Sequence, residues 1–336
     1  MVEKSNSEGL PNGIMNRITL PANALTPMGH VEKLARCKSS LHGFYCDVVK
    51  TMGTLRTFDG TQLYFKDWGE GQPVVFSHSW PLCSDAWDVQ LRFMADNGFR
   101  AIAHDRRGHG RSSQSWRGND YNTYADDLAQ LIDYLDLQDV ILVGHCMGGG
   151  EVVRYLARHG TSRVSKVVLA SAVPPLMLKR MGQPNGIPMA VFDEMRAAIV
   201  EDRTQFYADF GRAFYGSPRS AGMASDGTLD HFQRMALMGG LHGHIECIGQ
   251  ISETDFTEDL RKIDIPMLVI HGDDDQVAPV DITARRVAVL VDDAELKVYP
   301  GAPHGLTVTH VEQFNDDLLT FAKQQYKDHL LAFARR

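Results

Sequence analysis

The sequence predicts an α/β protein, a doubly wound and mostly parallel sheet with an inserted helical cap. Three observations lead there. From Thr54 onward, short apolar runs alternate with amphipathic helical segments at the spacing of a parallel sheet. Between Pro174 and Gln250 that rhythm gives way to helical sequence rich in Met and Phe. A glycine-flanked turn at Gly144–Gly148 joins a buried strand directly to a helix.

The elements follow in order. Leu55–Phe58, a turn at Asp59-Gly60 and Gln62–Trp68 alternate as a hairpin does, and Pro73–Ser77 is a short continuous apolar run, as in a buried strand. Trp87–Asn97 has helical spacing and stops at Gly98, a C-cap residue. Arg100–His104 is a second buried strand, and Asn122–Leu135 puts Tyr124, Leu128, Leu131, Ile132 and Leu135 on one helical face. Strand Val140–Val143, helix Gly149–Arg158 and strand Val164–Leu169 come next. Strands at Met267–Ile270 and Glu295–Tyr299 precede a closing helix from about Val311. The implied layout is a core of 53–173 and 251–330 with a cap of 174–250 over the sheet edge where ligands bind.

Composition limits the function. The 336 residues are 43% hydrophobic and 23% charged, too apolar for a disordered chain. A formal net charge of -8 argues against a nucleic-acid partner. Five cysteines (Cys37, Cys46, Cys83, Cys146, Cys247), odd in number and without a Cys-x-x-Cys pair, argue against a disulfide framework or zinc site. No apolar run nears the roughly 20 residues of a membrane helix. The expectation is a soluble, cytoplasmic protein with no membrane partner and no cofactor, and a homo-oligomer is left open. Residues 1–52 hold six basic and four acidic residues, against -8 for the chain, and show no sustained period. They read as a poorly ordered N-terminal extension.

Gly144-His145-Cys146-Met147-Gly148 follows four apolar strand residues and opens a helix. That is the geometry of a nucleophile elbow, with Cys where the usual pattern has Ser. A thiol at a helix N-terminus is stabilised as thiolate by the helix dipole. The competing reading, a buried free cysteine in a Gly-rich turn, is weakened by the strand before it and the helix after it. Downstream lie Asp273-Asp274-Asp275, after a strand, and His304, after another. Nucleophile, acid and histidine stand in the chain order of α/β-hydrolases, with His304 as general base and an aspartate holding its tautomer. Three adjacent aspartates also suggest a metal site, but hard-cation loops need alternating ligands and a partner cluster.

From Met52 to about Phe321 the chain resembles the cofactor-free chloroperoxidases and arylesterases of the α/β-hydrolase fold. The resemblance rests on FDGTQLYFKDWGEGQPVVFSH, AIAHDRRGHGRSS, TYADDLAQLIDYLDL, VILVGHCMGGGEVVRYLARHG, SAVPPL, SETDFTEDLRKIDIPMLVIHGDDDQVAP and ELKVYPGAPHG. It implies a triad of Cys146, Asp275 and His304, the acid being the second Asp of G-D-x-D. It further implies oxyanion donors at the Trp80 and Met147 backbone N–H groups. An acyl pocket maps onto Trp80, Val173, Met177, Met195, Phe210, Phe214 and Val277, suited to short or aromatic acyl groups. Asp105, Arg107 and His109 are expected to be scaffold, and His242 and His244 to be surface histidines of the cap.

Two positions depart from the family pattern: Cys146 replaces serine, and Ser79 replaces the glycine before Trp80. Ser79 is expected to twist the peptide presenting the Trp80 N–H, and losing one oxyanion donor costs about 2.7–4 kcal/mol. A Cys-His-Asp triad, similar to that of dienelactone hydrolases, carries out acyl transfer through a thioester, whereas peroxide oxidises an activated thiolate. The favoured function is hydrolysis of small esters or lactones. The alternatives are a perhydrolase or chloroperoxidase making peracid from a carboxylic acid and hydrogen peroxide, and a silent ligand-binding member.

Overall fold

The computed structural model describes residues 52–216 and 224–324. The expected N-terminal extension lies outside the described residues except for Met52, which opens the first strand. Strands β1 (Met52–Arg56) and β2 (Gln62–Trp68) pair antiparallel, with Leu55 opposite Leu63. After β3 (Gln72–Ser77), a 3₁₀ turn at Ser84–Trp87 leads into α1 (Asp88–Asp96), followed by β4 (Phe99–His104) and α2 (Tyr121–Tyr134). Next come β5 (Val140–His145), α3 (Met147–His159) and β6 (Val164–Ala170).

Three longer helices separate β6 from β7: α4 (Met189–Phe214), α5 (Asp226–Met238) and α6 (Leu241–Glu253). The chain ends its described part with α7 (Thr257–Leu260), β7 (Met267–Gly272), α8 (Ala284–Leu290), β8 (Ala294–Tyr299), α9 (Leu306–Thr309) and α10 (Val311–Lys323).

The sheet order is β1-β2-β4-β3-β5-β6-β7-β8. Only the β1–β2 and β2–β4 pairings are antiparallel. Central strands with helices on both faces must be apolar on both, and successive side chains then feed opposite cores. β5 does this: Val140 and Leu142 join the core under α2 and α3, while Ile141 and Val143 join the one under α1 and α10. α2 starts where Asp120 accepts the Thr123 N–H at 3.0 Å, an N-cap bond, and α1 ends at Gly98 with φ +85°.

The structure moves some boundaries. α3 begins at Met147, two residues before the expected start, because Cys146 itself takes the N-cap position. Its glycines are tolerated by close packing: a Cβ at Gly148 would collide with the Ser77 and His78 carbonyl oxygens. α4 is broken at Asp202 (φ -151°, ψ 87°), whose carboxylate accepts the Thr204 and Gln205 N–H groups, each at 3.0 Å, and so caps the second half.

Candidate active site

Trp80 follows β3, Cys146 follows β5, Asp275 follows β7 and His304 follows β8, so all four gather beyond the carboxyl ends of parallel strands. Open α/β sheets bind ligands along this edge. Cys146 sits at φ +54°, ψ -117°, a conformation that costs a non-glycine residue about 1–3 kcal/mol. Its N–H donates to the Ala170 carbonyl at 3.0 Å, which anchors the turn to β6.

Behind the thiol, His304 Nδ1 lies 2.7 Å from Asp275 Oδ2. The other carboxylate oxygen accepts the Val277 and Ala278 N–H groups at 2.9 and 2.8 Å. Burial favours the neutral acid, but the His304 charge and bonds from His271 and His304 outweigh it and hold Asp275 below the usual carboxylate range. Burial likewise opposes charge on His304, yet Asp275 and Cys146 raise its affinity for a proton well above that of a free imidazole.

With Nδ1 on Asp275, Nε2 is the nitrogen left to reach Cys146. It makes no aligned hydrogen bond in the resting site, although the two side chains are close enough to couple. Burial pushes the Cys146 thiol up. His304, the Ser79 hydroxyl and the Met147 N–H together bring it below its ordinary value. The Trp80 N–H makes no hydrogen bond among the described residues, leaving a donor free at the edge of the same cavity. Ser79 is not among the positive-φ residues, and its carbonyl accepts from His78 Nδ1 at 2.8 Å and from the Leu82 N–H at 3.0 Å. A serine therefore sits here without left-handed backbone strain.

A cavity of about 200 Å³ opens at Cys146. Trp80, Val173, Met177, Met195, Phe210 and Val277 line it, as do Ile187, Val191, Phe192, Ala213, Ile248, Ile251 and Gln276, which sequence reasoning missed. The three-residue spacing of Phe192 with Met195, and of Ile248 with Ile251, is the signal that marks them as helix-face partners. Phe214 is a correction. It packs edge-on against the His304 ring at a 4.8 Å centroid distance instead of lining the cavity, and its carbonyl accepts the Gly305 N–H at 2.8 Å. It supports the His304 loop. None of the residues lining this cavity is cationic, so the space suits an uncharged apolar group.

The other polar residues singled out by the sequence do not line it. Asp105 binds Ser84 and Arg111, Arg107 pairs with Asp127 and Asp59, and His109 Nδ1 faces the Arg107 carbonyl at 3.0 Å. His242 stacks on Trp116 at 3.7 Å. His244 is a second correction: it is fully buried on the inner face of α6, with Nδ1 2.6 Å from the Tyr207 hydroxyl. The three aspartates point apart, with Asp273 on the Gly301 N–H at 2.6 Å and Asp274 on Gln276 at 2.9 Å. Among the described residues no group of three or more His, Cys, Asp or Glu side chains is arranged to hold a metal ion, and no helix is long and apolar enough to cross a membrane.

Known proteins share this architecture. The sequence model of the α/β hydrolase fold matches residues 72–311. A non-heme chloroperoxidase of Streptomyces lividans is 52% identical over 81% of this chain and 100% of its own. A bifunctional esterase/perhydrolase of Acinetobacter calcoaceticus is 46% identical over 81% of this chain and 100% of its own. Among solved structures, a bromoperoxidase from Bacillus anthracis superposes with TM-score 0.77 at 38% identity, covering 79% of this chain and 96% of its own. An esterase from Exiguobacterium antarcticum gives TM-score 0.77 at 31% identity, covering 81% and 99%.

Proposed function

The chain belongs to the α/β-hydrolase fold family, with the non-heme chloroperoxidases among its relatives, and from that membership we propose an acyl hydrolase that opens small uncharged esters or lactones through a thioester on Cys146. One observation carries this reading. His304 is bonded to Asp275 through Nδ1 and coupled to Cys146 on its other side, and Cys146 in turn lines an apolar cavity.

In this mechanism the thiolate of Cys146 attacks the acyl carbon, and the carbonyl π electrons move onto oxygen. The Trp80 and Met147 N–H groups receive that oxyanion. Protonated His304 gives its Nε2 proton to the leaving alkoxide as the C–O bond breaks, which yields alcohol and thioester. His304, now neutral, takes a proton from water as the water attacks the thioester, and the thiolate leaves with the acid product. Asp275 keeps the imidazole oriented and stabilises its charged form. The free thiols of Cys83, Cys146 and Cys247 fit a reducing compartment, which supports placing the enzyme in the cytoplasm.

Peracid formation is the second reading, favoured by the likeness to a chloroperoxidase and an esterase/perhydrolase. Hydrogen peroxide would then replace water as the acyl acceptor. Peroxide also oxidises an activated thiolate, so that activity is expected to fade as Cys146 is lost. The test is p-nitrophenyl acetate hydrolysis by the parent, Cys146→Ala and Cys146→Ser. Turnover by the parent and none by Cys146→Ala supports the cysteine hydrolase. Activity confined to Cys146→Ser overturns it. Sustained peroxide-driven halide oxidation with the thiol intact selects the second reading.

A further inference from the structure

One peptide group at His304 is held from both sides. Its carbonyl, that of His304, accepts from His145 Nε2–H at 3.0 Å. Its N–H, that of Gly305, donates to the Phe214 carbonyl at 2.8 Å. A trans peptide is planar, with its C=O and N–H pointing opposite ways, so these two bonds fix its orientation. His145 is the last residue of β5, one position before Cys146, and Phe214 is the last residue of α4. The nucleophile turn and the cap helix thus grip the backbone of His304, while Asp275 holds its side chain at Nδ1. The cap side of this clamp is tight: a Cβ at Gly305 would collide with the Tyr215 and Phe214 rings.

The sheet itself does not require a polar residue at 145. Residues 141, 143 and 145 share one face of β5, and Ile141 and Val143 join the core under α1 and α10. His145 ends that row, buried, with Trp87 and Phe214 edge-on at 6.1 and 5.6 Å. An imidazole in this setting carries a desolvation cost that an apolar residue avoids, unless its polar atoms find partners. A carbonyl can only accept, so Nε2 carries the proton. Burial and the charge of His304 bring the pKa of His145 from 6.5 down to about 3. At neutral pH it is therefore a neutral donor with one fixed acceptor.

We propose that His145 is a positioning residue for His304: it pins the 304–305 peptide against the end of α4, so that the imidazole stays turned toward Cys146. This rests on the proposed acyl transfer by Cys146 and His304, and adds the neighbour of the nucleophile that sets their spacing. His145 touches no reacting atom and keeps its proton throughout.

The test compares the parent with His145→Phe, which fills the space without a donor, and His145→Gln, whose amide N–H reaches about as far as the imidazole Nε2–H. Turnover of p-nitrophenyl acetate is split into kcat and KM, and alkylation of Cys146 by iodoacetamide is followed against pH by mass spectrometry. His145→Phe should lose roughly 10–100-fold in kcat, the cost of misplacing a reacting group by about 1 Å, with KM within about twofold. Its alkylation profile should move to higher pH, because His304 no longer stands where it favours the thiolate. His145→Gln should recover most of kcat and the parental profile. A residue that only packs the sheet end would lower the melting temperature of His145→Phe and leave kcat and the profile of the folded protein unmoved. That result overturns the proposal, as do equal losses in the two variants. Histidine ¹⁵N NMR of the parent gives a readout that does not depend on His145→Phe folding: Nε2-protonated neutral His145 is expected, and the Nδ1-protonated form overturns the pin. The two readings fail separately. A parent that hydrolyses no ester, with a profile that moves in His145→Phe and returns in His145→Gln, removes the acyl hydrolase and keeps the pin. Equal turnover by all three proteins keeps the hydrolase and removes the pin.

Discussion

His271 brings Nε2 to within 3.1 Å of the Asp275 oxygen that His304 Nδ1 approaches at 2.7 Å. The same Nε2 lies 2.7 Å from the Ala278 carbonyl, which can only accept, so this nitrogen carries the proton. With the Val277 and Ala278 amides on the other oxygen, the buried carboxylate is surrounded by donors from three directions. Its charge is thereby fixed, and that charge raises the proton affinity of His304.

Asp275→Asn should therefore remove more than a hydrogen bond. An amide has no charge to stabilise the imidazolium and presents an N–H where an acceptor is needed. Loss of the corresponding carboxylate in a Ser-His-Asp triad costs about 10⁴ in kcat. A drop of that order in ester turnover is expected, along with a shift of Cys146 alkylation to higher pH. A loss below about tenfold would show that His304 does not depend on this acid.

The dependence on pH has a definite sign. Cys146 is held below its ordinary value and His304 above its own, so thiolate and imidazolium coexist in a window between the two. The plot of kcat/KM against pH should climb on the acid side as the thiol ionises, before the ordinary thiol range is reached. It should then level off and fall on the alkaline side as His304 loses the proton needed by the leaving group. A single rise through the ordinary imidazole range, with no alkaline fall, would instead mark His304 as a base acting on a neutral thiol.

Much of the frame could be read from the sequence because it is encoded locally. Alternating runs and glycine stops mark the strands and helices, and Cys146 is marked by glycines on both sides between a strand and a helix. His271 could not be read that way. At the end of β7 it looks like any strand residue, and only the parallel register with β8, which sets His271 beside Val298, brings the loops after both strands together. The family resemblance places Phe214 in the acyl pocket, yet its ring stands against His304, while Phe210 and Ala213 of the same half of α4 line the cavity. The burial of His244 had a usable signal, since Gly243, His244, Cys247 and Ile248 follow the three-and-four spacing of one helix face.

Glu151 should matter for stability. It is fully buried in α3, with His104 Nε2 at 2.8 Å and Arg106 at 2.7 and 2.5 Å. Burial raises its pKa, but Arg106 and His104 prevail and bring it from 4.5 down to about 2. A carboxylate lowered in the folded state stabilises the fold above its unfolded value, and that contribution is lost as pH falls from 4.5 toward 2. Glu151→Gln leaves Arg106 buried without its counter-charge, at a cost of about 3–5 kcal/mol. The urea midpoint at neutral pH should drop accordingly, and the gap between parent and variant should narrow in acid. Equal midpoints at neutral pH would refute the assignment.

Acyl selectivity should respond to Met195. It lines the cavity from α4, together with Val173 and Val277 of the loops after β6 and β7. The cavity of about 200 Å³ has room for more than an acetyl group, and its apolar wall offers a longer chain contact but no specific bond. A methylene in such a pocket is worth about 1–3 kcal/mol, so the length preference follows the space available. Met195→Trp fills part of that space and leaves Cys146, Asp275 and His304 unsubstituted. Hydrolysis of p-nitrophenyl acetate should stay within about twofold of the parent, while kcat/KM for the hexanoate ester falls by roughly 10–200-fold. If both esters decline together, Met195 shapes the fold around the site and does not bound the acyl chain.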